Sequence, residues 1–98
     1  MLVYKAIYKF LPDGVHGEVI DFPGVITCGR TIGETRRLLA GALEDMAETS
    51  IMLGEPLPVP DPSSSAPEAD LDEPIHLMLR ASTRVSVRPK ATVLSVYI

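Results

Sequence analysis

Between Thr31 and Gly54 the chain carries a complete helix signature, and a protein of 98 residues has room for one core built around it. Thr31-Ile32-Gly33-Glu34 has the pattern of a capping box. In that motif the Thr hydroxyl accepts from the N3 amide and the N3 Glu reaches back to the cap amide. Ile32, Thr35, Leu38, Leu39, Ala42, Leu43, Met46 and Ala47 then recur at three- and four-residue spacing, while Arg36, Arg37, Glu44, Asp45 and Glu48 mostly fall on the other side. Gly54 suits the position just past the last turn, and Pro56 blocks continuation. The pattern predicts one helix of about 20 residues. Gly41, inside it, costs about 1 kcal/mol against Ala; a close approach of helix to sheet is the expected reason for it.

The thirty residues before the helix read as a three-stranded meander. In residues 2–10, Leu2, Tyr4, Ala6, Tyr8 and Phe10 alternate with Lys5 and Lys9, which places the two sets on opposite faces of a strand. Leu11-Pro12-Asp13-Gly14 is a turn in which Pro presets φ and Gly is expected to take the positive φ. Residues 15–20 return antiparallel, with Gly17 marking a bulge or a close approach. Asp21-Phe22-Pro23-Gly24 places Pro and Gly for a type II turn, and residues 25–29 form the third strand.

After the helix the composition changes. Residues 55–74 hold six of the nine prolines, three consecutive serines and six acids. Such a stretch buries too little apolar surface to offset its ordering entropy, so an extended or mobile linker is expected. Three segments are therefore expected: a core over 1–60, a linker over 61–74, and C-terminal strands over 75–98 that complete the core or an oligomer interface. IHLMLR from Ile75 reads as a fourth strand, and STRVSVR and ATVLSVYI are also β-prone.

Charge divides the chain in the same place. Residues 1–74 carry five basic groups against thirteen acidic ones, whereas residues 75–98 carry Arg80, Arg84, Arg88 and Lys90 and no acid. The body is unsuited to nucleic acid, and the tail is the one candidate nucleic-acid contact. With 46% hydrophobic residues but no Trp, the core must be aliphatic, and a small aliphatic core is often completed by self-association. A homo-oligomer is expected. Cys28 is the only cysteine, which excludes an intrachain disulfide. No signal-peptide or membrane-span pattern is present, which makes the cytoplasm the default compartment.

The inventory of reactive groups points away from an enzyme. His16 and His76 lie in strand-like segments without metal-ligand spacing, so both are expected to be partly exposed strand residues. Cys28 has no motif that would lower its thiol pKa and is expected to be a small buried hydrophobe. Gly29 before Thr31 falls short of a phosphate-binding loop. Glu18 and Asp21 are three apart at a strand, which puts them on opposite faces, and no carboxylate cluster for a metal assembles. No cofactor and no metal are expected.

One joined string stands out: Glu18-Val19-Ile20-Asp21-Phe22-Pro23-Gly24-Val25-Ile26-Thr27-Cys28-Gly29-Arg30-Thr31-Ile32-Gly33-Glu34. Its ordered parts are an acid, an aromatic, Pro-Gly, a short strand, Gly, one residue, Thr, and Glu three later. This resembles the core motif of HicB-like antitoxin domains, with Asp21, Phe22, Pro23, Gly24, Gly29, Thr31 and Glu34 as its structural positions. Tyr4, Tyr8 and Asp13-Gly14 resemble the family's opening strand and turn, and Gly54-Glu55-Pro56-Leu57-Pro58-Val59-Pro60 its exit from the helix. The match runs over residues 2–60 and departs from the commonest pattern at Arg30 and Gly33.

The resemblance implies an α+β domain, a partial ribonuclease H-like β-β-β-α-β fold without that fold's nuclease carboxylates. It implies an antitoxin of a toxin–antitoxin pair, whose partner is a small basic RNA-cleaving toxin (HicA-like) with its active site covered. Members often add a helix-turn-helix or ribbon-helix-helix module, and the 24 residues after the linker are too few for either. A transcriptional regulator that grips DNA through Arg80, Arg84, Arg88 and Lys90 is the competing reading. For a toxin, the expected contacts are the meander acids Asp13, Glu18 and Asp21 or the helix acids Glu44, Asp45 and Glu48, because an acidic surface complements a basic partner.

Overall fold

The computed structural model describes residues 2–79. The elements run β1 (Leu2–Leu11), β2 (Gly14–Val19), β3 (Ile26–Gly29), α1 (Ile32–Met52) and β4 (Leu71–Leu77), an α+β arrangement in β-β-β-α-β order. All pairings are antiparallel and the sheet order is β3-β2-β1-β4. The β-prone stretches predicted beyond Leu79 lie outside the described residues.

Register sorts the side chains into two faces. Ala6 opposes Val19, Tyr8 opposes Gly17 and Phe10 opposes Val15, so these residues share the face that α1 covers. Tyr4, Ala6, Tyr8, Val15 and Val19 are buried there with Phe22, Val25, Leu39, Leu43, Ala47 and Leu77. The helix contributes Thr35, Leu39, Leu43 and Ala47 as its fully buried stripe. Leu38, assigned to the apolar set by spacing, is instead 45% exposed on the flank of α1.

Glycine sets how closely α1 can sit. A Cβ on Gly17 would come within 2.8 Å of the Thr35 methyl, and one on Gly29 within 2.6 Å of the Thr35 hydroxyl. The first turn of α1 therefore packs directly on β2 and β3. There the Thr35 hydroxyl donates to the carbonyls of Thr31 (2.8 Å) and Val15 (3.2 Å). Gly41 plays no such part: it is exposed, and an added Cβ would meet nothing within 4 Å.

Both helix ends form as their sequence signals require, with one difference. Thr31 accepts from the Glu34 amide (3.1 Å), but the Glu34 carboxylate accepts from the Arg30 amide (2.7 Å), one residue before the cap. At the C-terminus Gly54 has φ +73°, and the Gly54 and Glu55 amides donate to the carbonyls of Ile51 and Ser50, a Schellman closure. The turn after β2 is type II: the Val25 amide donates to the Phe22 carbonyl, with Pro23 and Gly24 between them and φ of Gly24 at +93°. Gly14 does not have the expected positive φ; a Cβ there would lie 2.7 Å from the Gly29 carbonyl oxygen, so crowding requires the glycine.

The segment after the helix departs most from expectation. β4 begins at Leu71 rather than Ile75, so four residues of the expected linker belong to the sheet. Pro74 is tolerated because, among the described residues, no strand pairs with the outer side of β4. The Asp70 amide donates to the Tyr8 carbonyl, so even-numbered β1 residues bond toward β4. Pro74 opposes odd-numbered Lys5, which leaves its nitrogen on the open side.

Candidate partner-binding surface

Opposite the helix, register places Lys5, Ile7 and Lys9 of β1, His16 and Glu18 of β2, Ile26 and Cys28 of β3, and Asp72 and His76 of β4 on one face. Residues 61–70 cross it as a strap. The Lys5 ammonium donates to the Ser64 carbonyl (2.7 Å) and the Lys9 ammonium to the Glu68 carbonyl (2.9 Å). Ile7, between those lysines, is only 9% exposed.

Asp21 clasps the near end of the strap. One carboxylate oxygen accepts from the Asp61 amide (2.8 Å) and the other from the Ser64 hydroxyl (2.8 Å). Asp61 caps its own short turn by accepting from the Ser63 amide and hydroxyl, which hold its carboxyl below the ordinary value. At the far end the Asp70 carboxylate accepts from the Phe10 amide (2.8 Å). Upstream, the Tyr4 hydroxyl donates to the Pro58 carbonyl (2.7 Å). The proline-rich segment thus has a defined path, set by side-chain contacts 40 to 60 residues distant in sequence that composition cannot show.

A second polar cluster joins three elements at the β4 edge. Arg36 of α1 grips the Glu73 carboxylate with two nitrogens (2.9 Å each), and the Tyr8 hydroxyl donates to the same carboxylate (2.9 Å). The Arg36 hydrogen bond holds Glu73 below the usual carboxylate range, against a smaller opposing effect of burial. Burial, with Glu73 adding to it, pushes the Tyr8 phenol up to about 12. Sequence spacing gave no sign of this cluster, because Glu73 lies in the stretch expected to be linker.

The acids proposed for partner contact are scattered by the fold. Asp13 is exposed in the β1–β2 turn. Glu18 lies half-buried on the strapped face, its carboxylate 3.2 Å from His16 Nε2. Asp21 is not the open acid expected of it, since both oxygens hold the strap. On α1, Asp45 is exposed while Glu44 and Glu48 are half-buried. Cys28, expected to be buried, is exposed on β3 at the edge of the sheet. Arg80, Arg84, Arg88 and Lys90 lie outside the described residues. No cluster of three metal-ligating side chains and no helix able to cross a membrane occur among the described residues.

Comparison with known proteins agrees with this architecture. A family described as UPF0150-like matches residues 3–58. The N-terminal domain of Burkholderia pseudomallei antitoxin HicB is similar in structure: TM-score 0.62 and 24% identity, over 80% of this chain and 100% of that one. The longer B. pseudomallei HicB antitoxin gives 0.61 and 24% over 99% of this chain and 76% of that one. A chain of a HicA3–HicB3 toxin–antitoxin complex gives 0.53 and 24% over 62% and 73%. No curated protein matches the sequence.

Proposed function

From a chain that belongs to the UPF0150-like family and has the fold of the HicB N-terminal domain, we propose that this domain is an antitoxin that binds a small basic RNA-cleaving toxin and covers its active site. The likeness to a HicA3–HicB3 complex carries the reading, since it supplies the class of partner. The charge of the body supports it: all thirteen acids fall within residues 1–74, against five basic groups. Complementary potentials accelerate encounter and disfavour wrong partners. On this reading the domain has no hydrolytic activity of its own.

Glu18, Asp72 and the strap acid Glu68 form the contact surface of this reading, with Asp13 at its rim and Glu44 the alternative on the helix side. Co-expression with the neighbouring gene product, scored by growth and RNA cleavage, tests it. Reversal of Glu18 and Asp72 to Lys should release toxin activity while Glu44→Lys leaves it neutralised; the opposite pattern moves the contact to α1. Failure of both to weaken the complex, or RNA cleavage by the isolated chain, rejects occlusion. The second reading, DNA contact through Arg80, Arg84, Arg88 and Lys90, rests on the charge asymmetry of the sequence. It requires binding that weakens steeply with salt, because each neutralised phosphate releases counterions.

A further inference from the structure

Two apolar rows run past the layer that covers them. On α1 the buried row Thr35, Leu39, Leu43 and Ala47 recurs every four residues. Its next member, Ile51, is 51% exposed, and Met52 and Leu53 beside it are 81% and 67% exposed. On β4 Leu77 is buried, and Leu79, two residues on, is exposed. Both rows stop at the same end of the domain. Leu77 opposes Leu2, and the Tyr4 hydroxyl, two residues along β1, donates to the Pro58 carbonyl of the segment that leaves α1. Val59, next in that segment, is exposed as well. An open group of large apolar side chains at one end of a small domain marks a surface that something covers.

Charge narrows what that cover is. α1 has no basic residue in its last turn, although the carbonyl end of a helix favours cations. Glu44, Asp45 and Glu48 precede that turn and Glu55 follows it, so the apolar end is rimmed by acids. The complement is a cationic segment joined to an apolar stretch.

One segment of that description is tethered at the site. Residues 80–98, outside the described residues, continue the chain from Leu79 at this same end. They carry Arg80, Arg84, Arg88 and Lys90 with no acid, and the eight residues from Ala91 to Ile98 include six apolar ones, with Leu94, Val96 and Ile98 in alternation. The eleven residues between Leu79 and Ala91 can span about 36 Å. That exceeds the length of α1, about 32 Å for 21 residues, so the reach is sufficient. A tether of this length also raises the local concentration to the millimolar range, where a modest apolar contact is enough to hold.

We propose that residues 91–98 dock on Ile51, Met52, Leu53 and Leu79 of their own chain, with the basic residues of 80–90 set against Glu55 and the carbonyl end of α1. This does not depend on the toxin-binding reading.

Paramagnetic broadening in NMR spectra of the full chain is the test. A nitroxide is attached to Met52→Cys in a Cys28→Ser background, both exposed positions. Isotope-labelled, spin-labelled chain diluted into unlabelled chain should show broadened amide signals for residues 92–98. Isotope-labelled chain without the nitroxide, mixed with spin-labelled chain, should not. Ile51→Ser with Leu53→Ser should abolish the broadening and leave the far-ultraviolet CD spectrum unchanged. In a Leu94→Ser/Val96→Ser variant, the Leu53 and Gly54 amides, which donate to the Thr49 and Ile51 carbonyls, should exchange about tenfold faster while the amides of β1 and β2 keep their rates. Absence of broadening within the chain overturns the proposal. So does broadening only between molecules, which assigns the surface to a second copy. Broadening that survives the Ile51 and Leu53 substitutions, or exchange at Leu53 and Gly54 indifferent to the tail, rejects this docking site.

Discussion

The two faces of the sheet are covered by different physics. On one, α1 buries an aliphatic and aromatic layer whose stabilisation scales with apolar area removed from water. On the other, residues 61–70 lie across Lys5, Ile7 and Lys9 and are held by hydrogen bonds, two to Asp21, one from each lysine and one from the Phe10 amide to Asp70. A buried apolar layer cannot lose a member without a cavity. A clasp can open locally while the sheet beneath it stays folded. The helix face is therefore the source of global stability, and the strapped face the low-cost place to rearrange.

The largest effect that separates the two is on the helix face. Leu43 is fully buried, so Leu43→Ala should lose about 3 kcal/mol and lower the whole thermal transition by well over ten degrees. A loss under about 1 kcal/mol would mean that the layer relaxes into the gap and that the contrast between faces is weaker than drawn.

Next in size is Gly24→Val, which forces a β-branched residue to φ +93° and brings its Cβ within reach of the Met46 methyl at 3.1 Å. Global destabilisation of about 2 kcal/mol is expected, because the turn joins β2 to β3 under the helix. An unchanged melting midpoint would count against the type II geometry.

Asp21→Ala should act otherwise. Both oxygens of Asp21 hold the strap, and their loss should cost about 1 kcal/mol while speeding hydrogen exchange and proteolysis over residues 61–70 well ahead of β1 and β2. If exchange rises uniformly instead, the strap and the core form one cooperative unit.

These expectations also mark what the sequence could convey. Periodicity located the helix, alternation located β1, and the Pro23-Gly24 pair located a turn whose conformation follows from proline and glycine chemistry alone. Those signals are local: each depends on residues within one or two turns of one another. Leu38 and Cys28 were misplaced because period and alternation say which side of an element a residue occupies but not where the neighbouring layer ends. Cys28 is exposed on β3, which ends the sheet order among the described residues, and Leu38 is 45% exposed on α1. The path of residues 55–70 and the early start of β4 depend on Asp21, Lys5, Lys9 and β1, partners far away in sequence, so proline content alone indicates only an extended or mobile linker. The acids expected to meet a partner are legible as charge but not as a surface, because the fold engages Asp21 with the strap and puts Glu44 and Glu18 on opposite sides of the sheet.

The smallest effect concerns Glu73, where the two faces meet at the β4 edge. Its carboxylate accepts from Arg36 and Tyr8, and the Arg36 hydrogen bond depresses its pKa below the ordinary 4.5. A carboxyl depressed on folding stabilises the fold at every pH above its unfolded value, and that contribution disappears as pH falls through the depressed folded value. Wild type should therefore lose stability below the ordinary Glu range more steeply than Glu73→Gln, and the two melting curves should converge in acid. Near neutral pH the variant should melt only about 2 °C lower, because a half-exposed ion pair is weak and screened by salt. The Tyr8 ring gives a second readout by NMR. Its phenol titrates at about 12 chiefly through burial and only secondarily through Glu73, so the variant's midpoint should fall but remain above 10. A Tyr8 midpoint of 10 in the variant would make the carboxylate, rather than burial, the dominant cause. Parallel acid limbs in the two proteins would show that the Arg36–Glu73 contact does not persist in solution, and that β4 is held to the domain by its backbone ladder with β1 and by the buried Leu77.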